Sequence, residues 1–519
     1  MIRHIFTVST GTLASRLLGF ARDSLAAALL GAGPVADAFL MAFQFIHVVR
    51  RMLGEGALNA ALIPAWMRVR DGSGTLAASA FAGAALGTVS AAVIVLAVIA
   101  GAIMPILLTL LAPGFVGRES LQLAAADARL MLPYLAFAGP VTVMMSLLNA
   151  QHRFAITAFS PLLFNIALIG VTSALLLFRR EAAFAALAMS ATVGGAGLLQ
   201  LLVLAVPSRR DNLARPLRIS FDSEMRDFFR KAIPGMIASS GPQLLIVAGA
   251  IVASASPSAV SWLYFANRLI ELPLGMVGVA MGTVLVPEIT RALGNDDKAA
   301  LVRTESRGLE LAVGLALPAA LGLVVLSEPI VRMLFEHGAF SAADTRATAL
   351  ALGCLALGLP AHVLIKALSP AFFARGNTMT PLLATLKGIA VAIVLAIVLG
   401  RIFGVGGIAA AMAAGAWSTA FSLGRSVAAT FGFSIDAEAR RRLPRIALAA
   451  LLMGGLLWCA AQGLPQAFGA HGILSVATPG LLILAAIASY GLFLLLFRVV
   501  AWNDMRGALR RSRSPDLRG

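Results

Sequence analysis

The chain has 519 residues, is 59% hydrophobic and only 13% charged, and has a mean hydropathy of +0.90. A composition this apolar excludes a soluble globular domain and describes an all-α polytopic membrane protein. The net charge is +17, and where that charge sits carries more information than its size.

Arg16, Arg22 and Asp23 interrupt any apolar core near the start, and no small-residue cleavage site follows cleanly. The opening stretch is therefore read as a membrane span and not as a cleaved signal. Hydropathy and helix breakers predict about 14 spans. Six lie at roughly 5–30, 35–62, 79–111, 124–149, 157–178 and 183–206. Six more lie at roughly 230–254, 258–288, 305–327, 346–370, 379–400 and 405–431, and a last pair at 444–465 and 472–499.

The first two spans hold Arg16, Arg22, Asp23, Asp37, Arg50, Arg51 and Glu55. A charge at mid-bilayer costs about 2.5–3.5 kcal/mol on insertion scales, so such charges persist only beside a wet cavity or a partner. At about 100° per residue, Asp37, Gln44, Arg51, Glu55 and Asn59 share a narrow arc of one helix face. Arg51 and Glu55 are four apart, close enough to hold each other in place. Two readings follow: the wall of a polar transport chamber, or interhelical salt bridges that only hold the bundle together.

Topology follows from the basic residues. With both termini in the cytoplasm, 26 Lys and Arg fall on the cytoplasmic side, 6 on the opposite side and 9 within spans. That split is a strong positive-inside signal. The basic segment after the sixth span reads as a solvated topogenic linker near anionic headgroups, with nucleic-acid binding a poor alternative. The nine intramembrane residues include Arg16, Arg22, Arg50, Arg51, Arg268 and Lys366. An excess of positive charge implies an anionic substrate, and phosphate suits the Arg fork.

The chain also repeats itself. Pro34 and Pro64 are 30 apart, as are Pro257 and Pro287, at an offset of 223. NAQHRFAITAFSP ending at Pro161 matches SPAFFARGNTMTP ending at Pro381, at an offset of 220. Six spans followed by six of the same orientation predict two parallel halves around a central cationic cavity, plus two extra C-terminal helices. The predicted division is an N-terminal lobe at 1–206, a basic linker at 207–229, a C-terminal lobe at 230–431, two added helices at 432–500 and a basic tail at 501–519. The polar residues are not repeated: they concentrate in the first half, with Arg268, Glu271 and Lys366 contributed by the second. Cys354 and Cys459 lie in apolar stretches without metal or redox spacing. No metal or cofactor is expected, and no His/Asp/Glu cluster suggests catalysis.

Several motifs, taken together, resemble a known family. SRLLGFARD, DAF at 37–39, RRMLGEGALNAALIP, YFANRLIELPLGMVGVAMGTVLVPEI, LFEHGAFSAADTRATALAL and LSPAFFARGNTMTP are similar, in order, to the bacterial lipid II flippase family MurJ (formerly MviN). That family belongs to the multidrug/oligosaccharidyl-lipid/polysaccharide exporter superfamily. The resemblance implies a fourteen-helix protein of the bacterial cytoplasmic (inner) membrane. It would move lipid II, an undecaprenyl-diphosphate-linked disaccharide-pentapeptide, to the outer leaflet by alternating access, for cell-wall synthesis.

Matched by motif, the family's essential charges fall on Arg16, Arg22, Asp23, Asp37, Arg51, Glu55 and Arg268, with Glu271 following. In that family the last two helices form a groove for the lipid tail. Partners implied are lipid II, membrane lipids and cell-wall synthesis or division proteins.

The chain departs from the pattern in two places. Phe45-Ile46-His47 replaces the usual Pro-Asn before the double arginine. The seventh span has no acid and the eleventh offers Lys387, so the sodium site of some members is not expected. The rival readings are a carrier of another polyprenyl-linked saccharide or of a drug, a membrane enzyme acting on polyprenyl diphosphates, and a scaffold in cell-wall assembly with no transport of its own.

Overall fold

The computed structural model describes residues 2–54, 57–151, 153–210, 214–280, 298–373, 375, 377–431, 436–463 and 473–499. Among these residues the fold is all-helical. In order the helices are α1 (Ile2–Leu30), α2 (Pro34–Gly54), α3 (Ala57–Ala102), α4 (Met104–Leu111), α5 (Glu119–Ala150) and α6 (Phe154–Leu177). Then come α7 (Ala182–Arg210), α8 (Ser223–Ser239), α9 (Gly241–Ala253), α10 (Ala259–Ala280), α11 (Lys298–Val325) and α12 (Ser327–Phe335). The last are α13 (Ala342–Ala356), α14 (Leu359–Phe373), α15 (Met379–Phe431), α16 (Ala437–Gly463) and α17 (Ile473–Leu496).

Eight of the described helices are long and apolar enough to cross a bilayer, or nine if α13 and α14, bent by 41°, count as one broken span. Helices α1 and α2 are absent from that group, and their sequences supply a reason: both carry charges along their length. The protein is a multi-pass membrane protein.

The element boundaries follow local backbone chemistry. Within predicted span 35–62, α2 is described as far as Gly54 and α3 from Ala57 to Ala102, with residues 55 and 56 outside the described residues. That helix breaks at Gly74, whose φ of 84° is a conformation open chiefly to glycine. Predicted span 79–111 is interrupted at Ile103, after which Pro105 sits in the first turn of α4, where its missing N–H costs nothing. Predicted spans 379–400 and 405–431 run together as α15, with the expected break at Gly404 (φ 57°).

The chain divides into two compact units. One comprises Met1–Phe265, Leu334–Ala347 and Ala392–Ile408, and the other Ala266–Met333, Thr348–Val391 and Ala409–Gly519. Within the first, α5 is the hub, packed against α2, α3 and α7, while α1 lies along α6. Its core is built of small and medium side chains on α5, among them Ala124, Ala128, Met131, Leu135, Val143 and Leu147. Alanine at these positions lets helices approach closely, which is how helices associate without a hydrophobic drive between them. In the second unit α11 packs on α16 and α14, and α16 on α17. The Tyr490 hydroxyl of α17 donates to Gly314 O of α11 at 2.8 Å, which satisfies a polar group that lipid would leave bare.

Candidate functional site

Asp37 is held, not open. It sits in the first turn of α2 and is 2% exposed. Ser258 N donates to Asp37 Oδ2 at 2.7 Å, while Ser261 N and Ser261 Oγ donate to Oδ1 at 2.9 and 2.6 Å. Those backbone donors belong to the start of α10, whose first N–H groups have no partner inside their own helix. Asp37 therefore caps a helix distant in sequence, and its charge opposes the positive end of that helix's dipole. Ser258 takes φ 63°, rare for a residue with a Cβ. Its Oγ donates to Ala32 O at 3.3 Å, so this backbone is fixed from two sides.

Arg22 and Asp23 form a second closed arrangement. They are 6% and 2% exposed. Arg22 Nε and Nη2 donate to Asp23 Oδ1 at 2.9 and 2.6 Å, and Arg22 Nη1 donates to Asn165 Oδ1 at 3.1 Å. Asn165 Nδ2 donates in turn to Ser15 O at 3.1 Å, and the Tyr264 hydroxyl donates to Asp23 Oδ1 at 3.3 Å. The guanidinium carbon lies 5.2 Å from the Phe43 ring centroid and 5.6 Å from that of Phe164, a cation–π environment. A buried pair of this kind persists because each charge meets the other and further polar groups surround it.

The carboxyl end of α2 is looser. His47, Arg50 and Arg51 are only half-buried. Arg50 Nη2 meets His47 Nε2 at 3.2 Å, and His47 stacks on Phe43 with centroids 5.2 Å apart. Arg50 Nε has no hydrogen-bond partner among the described residues, and the same holds for Oε1 of Gln44, which is buried midway along the helix. Buried polar atoms of this kind call for an explanation such as a ligand or water. Arg16 is half-buried on α1. Glu55 lies outside the described residues, as does the side chain of Asn59.

Arg268, Glu271 and Lys366 belong to the second unit. Arg268 Nη1 donates to Glu271 Oε2 at 2.7 Å across one helical turn, with the two side chains 18% and 20% exposed. Lys366 Nζ donates to Leu274 O at 3.5 Å. Among the described residues no group of three or more His, Cys, Asp or Glu is placed to hold a metal ion.

The structure thus brings Arg22 and Asp23 together, and separately Arg268 and Glu271. It places Asp37 on the polar face read from the sequence, but spends its carboxylate on α10. Sequence reasoning missed Asn165, Tyr264, Ser258 and Ser261. Two of these left a signal. Asn165 is a lone amide inside an apolar span, and Ser258 stands just before an apolar helical run, the usual place of an N-cap.

The described geometry is that of charges held inside a helical bundle, and comparison with known proteins bears on its fold and descent. The family model described as lipid II flippase MurJ matches residues 26–477. The probable lipid II flippase MurJ of Rhizobium tropici is 34% identical over 518 residues, covering 99% of this chain and 97% of that protein. A solved lipid II flippase MurJ in an inward closed conformation superposes with a TM-score of 0.77 at 23% identity, over 95% of this chain and 98% of that one. An inward-facing multidrug resistance MATE family transporter of the MOP superfamily gives 0.64 at 15% identity, over 89% and 99%. The two solved structures speak for the fold; the family model and the Rhizobium protein, matched along nearly the whole sequence, speak for descent, and the chain belongs to the lipid II flippase MurJ family.

Proposed function

We propose that the chain flips lipid II from the inner to the outer leaflet of the bacterial inner membrane, as its family name states. It is a transporter and not an enzyme. The observation that carries this reading is the family match over residues 26–477.

The finer architecture proposed is fourteen spans with both termini cytoplasmic, in two parallel halves that enclose a cationic chamber. Its support is the repeated spacing of prolines and the 26-to-6 split of basic residues. The two helices after the repeat, α16 and α17, are proposed to form a groove for the lipid tail. Their outward apolar side chains, such as Leu451, Leu456, Leu484 and Ile487, suit that role.

The chamber residues divide by their environment. Arg50 and Arg51 are proposed to take the diphosphate, since they are half-buried and α2 presents them together. Phosphate accepts paired N–H donors from guanidinium in a fixed fork geometry. Arg268 is proposed to add to this, with Glu271 orienting it through their 2.7 Å ion pair and weakening its hold so that product leaves. Arg22, Asp23 and Asp37 are proposed to hold the helices that present these groups. Arg16, Glu55 and Lys366 are proposed to tune the chamber's charge. Membrane potential, worth about 2.3 kcal/mol per charge per 100 mV, is proposed to reset the empty cationic chamber.

The test is depletion of the protein in its host, followed by a leaflet assay for lipid-linked precursor. Wild type should restore precursor to the outer leaflet, and Arg51→Ala should leave it on the cytoplasmic side. Normal surface exposure without the protein would sink the functional reading. Full flipping by Arg51→Ala would sink the assignment of Arg51.

A further inference from the structure

Between α7 and α8 the described residues from 215 to 220 run along α3. Arg215 N donates to Ser79 O at 3.1 Å and Ser79 Oγ to Arg215 O at 3.3 Å. Further along, Ser220 N donates to Thr88 Oγ1 at 3.0 Å and Thr88 Oγ1 to Ser220 O at 3.2 Å. Residues 215–220 are therefore fastened at both ends to the stretch 79–88 of α3. Nine helical residues at 1.5 Å each cover about 13.5 Å, so the five linker steps average about 2.7 Å, close to the ~3.3 Å of a strand.

Between the fastenings the backbone lies directly on the helix. A Cβ at Gly83 would overlap Pro216 O, and one at Gly87 would overlap Arg218 O. Ser79, Gly83 and Gly87, spaced four apart, form a track that admits a chain and little else.

What this strap turns outward is unusual for a linker. Leu217, Ile219 and Phe221 are 65%, 62% and 70% exposed, and alternate residues of an extended chain share a side. Arg215, Arg218 and Arg226 are exposed beside them. The strap is bound to a helix whose continuation, Leu62–Ala102, is a candidate span with outward Ile94, Val95, Val98 and Ile99. Three large apolar side chains on alternate positions, next to a membrane helix and flanked by arginines, match the boundary between acyl chains and headgroups.

We propose that residues 215–221 form an anionic-phospholipid strap. Leu217, Ile219 and Phe221 enter the acyl region, and Arg215, with Arg218 and Arg226, takes the headgroup phosphate. The linker read from sequence as solvated near anionic headgroups is placed by this proposal at the lipid boundary, as part of the first unit. Arg218 shares its charge with Asp222 at 3.9 Å, so Arg215 carries most of the headgroup contact.

The full chain, with Cys354 and Cys459 replaced by serine, should be given a single cysteine at 219 or 223 and labelled with the NBD fluorophore in nanodiscs. Residue 223 is exposed at the start of α8 and serves as the aqueous control. The label at 219 should be blue-shifted, quenched by lipids brominated on the acyl chain and shielded from iodide, while the label at 223 should show the reverse. Iodide quenching at 219 without quenching by brominated lipid would overturn the proposal.

A second measurement reads the headgroup. Phosphatidylglycerol added to the purified protein in detergent should raise its unfolding midpoint more than phosphatidylcholine of the same chain length. Arg215→Gln should weaken that response about five-fold, the loss expected for one basic residue near an anionic surface. Equal stabilisation by the two lipids, or an equal response to inorganic phosphate alone, would overturn the assignment of an anionic lipid.

Discussion

Helix α2 is charged at both ends, and the ends are built for different work. At the amino end Asp37 is buried and receives three donors from the start of α10, and midway along the helix, against Phe43, Arg22 and Asp23 close on each other. At the carboxyl end Arg50 and Arg51 are half-buried, with one Arg50 nitrogen unsatisfied among the described residues. An intramembrane charge is thus not one kind of signal. Where a charge is deeply buried and held by groups from distant parts of the chain, it fastens helices; where it is half-buried with a donor left over, it can take a ligand.

The comparison breaks most sharply at Arg22. Arg22→Ala leaves Asp23 buried without its cation, a change that costs about 3–5 kcal/mol, and the unfolding midpoint in detergent should fall more than for any other substitution named here. Asp37→Ala orphans the donors of Ser258 and Ser261, at about 1–3 kcal/mol per buried group left unsatisfied. Asp37→Asn should recover part of that loss, because an amide oxygen still accepts. If Asp37→Ala unfolds like wild type yet does not flip, the amino end is not a fastening and the contrast fails.

At the other end the two readouts should separate. Arg50→Ala should change stability by under about 1 kcal/mol, as expected where little is paired. Its flipping in the leaflet assay should drop about tenfold, the loss of one charge-assisted contact to phosphate. A stability loss as large as that of Arg22→Ala would erase the distinction.

The smallest effect lies outside the membrane. Asp222 Oδ1 accepts from Met225 N at 2.9 Å and Oδ2 from Ser220 Oγ at 2.7 Å, an N-cap for α8. These donors, the Met225 N–H first, hold its carboxyl below the usual 3.8. A depressed value in the folded state stabilises above the unfolded value, and the contribution fades as pH falls below 3.8 through the folded value. Asp222→Ala should cost about 0.5–1 kcal/mol at neutral pH, and the difference from wild type should shrink in unfolding measured at progressively lower pH.

Much of this could be read from the chain. Apolar runs and prolines located most helices, and even the break at Gly404 followed from the gap between two predicted spans. The 100° arithmetic placed Asp37, Gln44 and Arg51 on one face. It had no means of telling that the face is closed at one end and loose at the other, because that depends on partners far along the chain. Ser258 and Ser261 stand 221 and 224 residues from Asp37, and no periodicity within α2 points to them. The course of the strap was hidden for a related reason: nothing in a basic segment of mixed composition shows that its backbone lies against Gly83 and Gly87.

The pairing of Arg22 with Asp23 also has an order in time. These two are neighbours in sequence, so their ion pair exists as soon as that part of α1 coils, before later helices have been synthesised. Asn165 follows Arg22 by 143 residues and Tyr264 follows Asp23 by 241. At about 5–20 residues per second, the acid waits on the order of 10–50 s for its tyrosine. The contact between Arg22 and Asp23 needs nothing beyond α1 itself, and the partners that arrive later add to a pair the helix already supplies.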